Sequence, residues 1–182
     1  MEDPTKKTKL EKISSEQEKN IQEVFTLCPE LEKIGNPEQY GKYLETIFPE
    51  SKVKNILWHA TAEKVDNYHK ERVGAHTGEE NKNQGLYFAD HKGAVILKSL
   101  LPDAKIVLPN VVNLKNPQTV KELSIYVNPE EHDGILSQEI LEDPLGDTVI
   151  PVFVAFHPEQ AYILGSQSDI EKFKEFVASE NK

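Results

Sequence analysis

Residues 1–14 show no helical or strand-like spacing of apolar positions. Lys, Glu and Thr alternate there instead, so the segment reads as a solvated, disordered tail. After Ser15 the spacing of Ile21, Val24, Phe25 and Leu27 predicts an amphipathic helix, and Pro29 stops it. Asn36-Pro37-Glu38 then supplies a cap and a first-turn proline for a second helix, with Tyr40, Tyr43, Leu44 and Ile47 on one face and Pro49 as its end.

Beyond residue 50 the pattern changes to short apolar runs between polar stretches, which predicts strands at 55–59, 85–89, 105–114, 134–136, 149–156 and 161–164. Pro109 and Pro151 lack a ladder donor, so their surroundings read as edge, bulge or strand-start positions. A helix is expected from Asp90 to Leu100 under the cap of the Asp90 carboxylate. A last helix is expected behind a capping box, Ser168-Asp169-Ile170-Glu171. Long polar stretches at 63–84 and 128–149 read as functional or mobile loops. The fold expected is α+β, mainly antiparallel strands in a split pair of sheets with flanking helices. Its parts are the tail at 1–14, a helical extension at 15–50 and the main domain at 51–182.

The 182 residues suit one hydrophobic core. With 31 acidic against 21 basic side chains, the net charge of -10 repels phosphate backbones, and no basic stripe opposes it, so bulk nucleic-acid binding is not expected. One cysteine, Cys28, excludes an internal disulfide framework, and a metal site is not expected. The first residues lack the apolar run of a secretory signal, and no stretch of about 18 apolar residues is present. The protein is therefore read as cytoplasmic where it is made and not bound to a membrane.

Familiar site patterns such as GxGxxG, a Walker loop, GxSxG, HExxH and CxxC are missing, which leaves scattered residues brought together by the fold. Two segments stand out. In Ile56-Leu57-Trp58-His59-Ala60-Thr61 a polar imidazole follows a buried apolar run and must find partners inside or line a cleft. In Gly85-Leu86-Tyr87-Phe88-Ala89-Asp90 a glycine before a strand-borne aromatic leaves room for close approach. By themselves, His59 and Tyr87 also suit a satisfied core histidine and a core aromatic.

In this order, with His59 and Tyr87 28 residues apart, the segments resemble the ADP-ribosyltransferase superfamily of the diphtheria-toxin and poly(ADP-ribose) polymerase type. Further matches to phage and bacterial members are Val111-Val112-Asn113-Leu114-Lys115-Asn116-Pro117, Asp133-Gly134-Ile135 and the segment from Val152 to Gln160. The resemblance spans about residues 52–177 and implies NAD as co-substrate in a cleft between two sheets. It implies nicotinamide stacked on Tyr87, a ribose hydroxyl held by His59, the carboxamide on the Ala60 backbone, and Thr61 as a further contact. The chemistry implied is cleavage of the nicotinamide N-glycosidic bond, which needs orientation more than a strong nucleophile. Arg72, the single arginine, lies in a polar loop, which disfavours the related toxin class that requires an arginine on the first strand.

The pattern also departs from the family. Eight residues before Gln160, where the catalytic glutamate is expected, stands Val152, so general-base assistance worth about 10²–10⁴-fold is missing. Gly93 replaces a serine that would grip the amide, and Ile96 replaces an aromatic wall. Glu139, Glu142 or Asp147 are candidate substitute carboxylates, and an acidic group of the acceptor is another.

Two functions follow as expectations. One is a mono-ADP-ribosyltransferase or NAD glycohydrolase acting on an unknown protein or small-molecule acceptor, with delivery into a host cell if it is an effector. The alternative is a catalytically inactive module of the same fold that binds NAD or a protein partner. A weaker third reading makes Glu139 and Glu142 the acid and base of a hydrolase.

Overall fold

The computed structural model describes residues 15–70, 85–141 and 148–180. Helix α1 (Ser15–Leu27) buries Ile21, Val24 and Phe25, the stripe its spacing predicts. Helix α2 (Pro37–Ile47) begins with a reciprocal cap: the Gln39 backbone N–H donates to the Asn36 side chain at 2.9 Å, and the Asn36 N–H donates to the Gln39 side chain at 3.1 Å. Helix α3 (His91–Leu100) follows the Asp90 cap, whose carboxylate accepts from Gly93 N at 2.7 Å.

Helix α4 (Gln167–Glu180) starts earlier than its sequence suggests. Ser166, not Ser168, caps it by accepting from the Asp169 N–H at 3.2 Å. The carboxylate of Asp169 is drawn inward, where the hydroxyls of Tyr40 and Tyr43 and the Gly165 N–H donate to it. Long-range hydrogen bonding therefore decides the role of this residue.

Seven strands follow among the described residues: β1 (Leu57–Thr61), β2 (Leu86–Ala89), β3 (Ile106–Val112), β4 (Gln118–Thr119), β5 (Gly134–Leu141), β6 (Thr148–Ala155) and β7 (Ala161–Ile163). They form an α+β fold with sheet order β4-β5-β6-β2-β1-β3-β7, in which only the β4–β5 pair is parallel. The hydrogen-bonded order is continuous, yet β1 and β2 share a single registered pair, Trp58 with Ala89. Two ladders thus meet at one point in the middle of the sheet, where two separate sheets were expected.

Pro109 sits inside β3 opposite Trp58, an interior strand and not an edge. Its carbonyl accepts from Leu164 N just past the end of β7, so its missing N–H falls where that ladder has stopped. Part of the polar stretch expected as a loop at 128–149 is strand: β5 reaches Leu141 through pairing with β6.

The helices pack on one face of the sheet. Ile21, Val24, Tyr40, Tyr43, Ala94 and Phe173 share a core cluster with Trp58, Ala89, Ile150, Val152 and Val154. Side chains from 15–50 are therefore continuous with the core of the main domain, and the boundary drawn at residue 50 crosses it. The opposite face carries Leu57, Leu86, Phe88, Val112 and Leu114, with Val53 and Tyr68 packed over them. Among the described residues, no helix is long and apolar enough to cross a membrane.

Candidate functional site

Strand pleating decides which side chains meet. Because Trp58 pairs with Ala89 in antiparallel register, the next positions set His59 against Phe88 and Ala60 against Tyr87. His59 accordingly lies on the face away from the helices, with its ring 5.5 Å from that of Phe88. Tyr87 packs against the helix-side cluster that contains Trp58. The imidazole and phenol expected in one pocket thus point to opposite faces of the sheet. A one-residue offset in a period-two structure is enough to separate them.

They are joined through the main chain instead. His59 Nδ1 lies 2.7 Å from the Tyr87 carbonyl oxygen. A carbonyl only accepts, so Nδ1 carries the proton, and in the neutral ring Nε2 is an acceptor.

A second ring packs against the imidazole. Tyr68 meets His59 edge to face at 5.2 Å and 83°, and Phe88 at 6.3 Å and 81°. Its hydroxyl donates to Asn110 Oδ1 at 3.1 Å, and the Asn110 amide donates to the Leu108 carbonyl at 2.8 Å. Burial pushes the Tyr68 phenol well above its usual pKa, with the Asn110 contact opposing, so it is a neutral donor. Neither residue was among the sequence candidates. Asn110 is the polar interruption of an apolar strand and is fully buried, while Tyr68 is the single tyrosine of the polar stretch 63–84.

The remaining candidates fall on the helix side or outside the described residues. Val152 is 3% exposed and pairs with Ala89 on one side and Ser137 on the other, inside the core cluster. Gly93 is backed by Ile150, whose Cγ2 would stand 2.5 Å from an added Cβ, so a serine has no room there. Ile96 packs partly buried on the same cluster. Ala60 and Thr61 are half-buried and laddered with Val107 and Ile106 of β3. Glu139 pairs through its backbone with Ile150, but its side chain, together with Glu142, Asp147 and Arg72, lies outside the described residues.

Among the described residues, cavities lie away from His59. One of about 460 Å³ is lined by Cys28, Lys64, Asp66 and Gly165, and one of about 300 Å³ by Tyr43, Phe48, Tyr162 and Lys172. Among the described residues, no group of three or more His, Cys, Asp or Glu is placed to hold a metal ion. Compared with known proteins, the chain matches no family model and no curated relative.

Proposed function

We propose that this chain is a non-catalytic binding module of the ADP-ribosyltransferase type, which recognises the ribosyl part of an NAD-like dinucleotide through His59 and does not split nicotinamide from it. The observation that carries this reading is the burial of Val152 in the position where the resemblance puts the glutamate. An acid there would be surrounded by Ala89, Ile150 and Val154 of the core. The filled space behind Gly93 supports it too, since the amide-gripping hydroxyl has nowhere to go. What remains suited to recognition is the oriented imidazole, a polar group in contact with the rings of Tyr68 and Phe88 and fixed by a main-chain bond.

One observation favours the alternative, a mono-ADP-ribosyltransferase or NAD glycohydrolase. The contact of Nδ1 with the Tyr87 carbonyl fixes the ring, an arrangement equally useful for orienting a scissile glycosidic bond. In that case a carboxylate must come from 139–147 or from the acceptor.

Calorimetry with NAD, run beside an assay of nicotinamide release in the presence of a cell lysate, separates the two. Binding that His59→Ala weakens at least tenfold, without nicotinamide release, is the expected result. Release that is abolished in His59→Ala identifies the enzyme, and neither binding nor release removes NAD from the account.

A further inference from the structure

We infer that the cavity between the end of α2, β7 and α4 is a binding site for a small monocarboxylate with a compact apolar body, held by the ammonium of Lys172. The site lies on the helix side of the sheet, whereas His59 lies on the other face, so it does not depend on the dinucleotide reading. Its volume of about 300 Å³ is at the small end of the range for ligand pockets, which suits a metabolite-sized molecule.

The lining sorts into apolar walls and committed hydroxyls. Ile47 and Phe48 are half-buried and supply the walls, with the rings of Tyr43 and Tyr162 beside them. Tyr43 gives its single proton to Asp169 Oδ1 at 3.1 Å, so in the 3.0 Å contact between Tyr43 and Tyr162 the donor is Tyr162. The Thr46 hydroxyl donates to the Tyr43 carbonyl at 2.7 Å. Every hydroxyl proton of the lining is therefore used within the protein. Lys172 differs: among the described residues its ammonium makes no hydrogen bond and no ion pair. An acceptor that enters the cavity finds its side-chain donors there.

The position of that cation is set from the core outward. Its Nζ stands 4.8 Å from the centre of the Tyr162 ring, a cation–π contact. Tyr162 is bonded to Tyr43, and Tyr43 to the buried Asp169. The Asp169 carboxylate attracts the ammonium electrostatically without bonding to it. A fitting ligand needs an anionic head for Lys172 and an apolar body to lie on Ile47 and Phe48. One lysine matches one negative charge, and the net charge of -10 on the chain disfavours a dianion such as a phosphate ester. A cationic head would meet Lys172 with repulsion.

The test uses the full chain labelled with nitrogen-15 and three probes of equal length, hexanoate, hexylamine and hexanol. Hexanoate is expected to bind with a dissociation constant in the millimolar range, as one exposed ion pair and a short apolar contact allow, and to shift the amide resonances of 46–48, 162 and 172. The amine and the alcohol should bind about fivefold more weakly or worse. Lys172→Gln should weaken hexanoate by about fivefold or more, while Lys172→Arg, which keeps the charge, should change it by less than about threefold. Because Lys172 is exposed, neither substitution disturbs the core, and unchanged resonances away from the cavity report that the fold is kept. Hexylamine binding as tightly as hexanoate overturns the anion assignment, and equal hexanoate affinity in Lys172→Gln overturns the role of Lys172. Shifts centred instead on 28–30 and 64–66, at the larger cavity, or no saturable shift up to about 50 mM hexanoate, overturn the site itself.

Discussion

Replacing Asp169 by alanine is expected to cost this protein about 4 kcal/mol, most of it from groups that never move. Asp169 and Tyr40 are both fully buried. The Asp169 Oδ2 accepts from the Tyr40 hydroxyl at 2.6 Å and from Gly165 N at 2.7 Å, and Oδ1 accepts from the Tyr43 hydroxyl at 3.1 Å. Truncation leaves the Tyr40 hydroxyl and the Gly165 N–H without these acceptors, at about 1–3 kcal/mol each. Tyr43 keeps Tyr162, 3.0 Å away, as a partner. Removing a desolvated carboxylate returns part of the loss, which is why the figure lies near the middle of the range.

The isosteric Asp169→Asn change should behave differently. Its carbonyl oxygen can accept from both Tyr40 and Gly165, while its amide donates to the Tyr43 oxygen and Tyr43 turns its proton to Tyr162. A cost below about 1.5 kcal/mol is expected. Urea unfolding followed by the fluorescence of the single tryptophan, Trp58, which is 1% exposed, measures both variants. An alanine variant within 1 kcal/mol of wild type, or an asparagine variant as damaged as the alanine one, would refute the reasoning.

The same pair tests pH dependence. Burial raises the Asp169 carboxyl above its usual 3.8, with the Tyr40, Gly165 and Tyr43 contacts and the Lys172 charge opposing. The folded state then holds this proton more tightly than the unfolded chain. The resulting stability is present below the unfolded pKa and is lost as pH rises through the folded one. Wild type minus Asp169→Asn should therefore fall in stability as pH is raised from about 4 through the folded pKa, and a rise over that window would contradict the assignment.

Other expectations can be checked with the same unfolding assay or simple chemistry. Val152→Glu places a carboxylate in the core between Ala89 and Ser137 and should cost about 4 kcal/mol or more, so it will not report on restored catalysis; a natively stable variant would disprove the burial argument. Gly165→Ala forces a side chain onto a backbone with φ of 71° and within 3.1 Å of Cys28 Cβ, and should lower stability by about 1–2 kcal/mol in urea midpoints. The Cys28 thiol is held above its usual pKa chiefly by burial, so alkylation at pH 8 should run at least about tenfold slower in the folded protein than in urea; equal rates would contradict it.

Much of the secondary structure was legible because it is set by local chemistry. The Asn36 and Asp90 caps, the Ile21-Val24-Phe25 stripe and the apolar runs of β1, β2 and β6 each follow from spacing within one segment. The α+β class followed from their order. Residues whose role depends on distant partners were read less well. Asp169 looked like part of a capping box, yet its side chain answers two tyrosines more than a hundred positions away in sequence. Pro109 looked like an edge marker, and only the place where β7 stops makes it tolerable in an interior strand.

The candidate site shows the same division. The sequence by itself singled out His59 and Tyr87 as unusual residues on two strands. Their relation was decided by the register of a single pair, Trp58 with Ala89, which turns one side chain toward the helices and the other away. Tyr68 reaches His59 only from a loop, and Asn110 reaches Tyr68 from a neighbouring strand, contacts that no local pattern encodes. Period and capping are properties of a few adjacent residues, whereas register and facing are properties of the assembled sheet, and in this protein the candidate chemistry depends on the second.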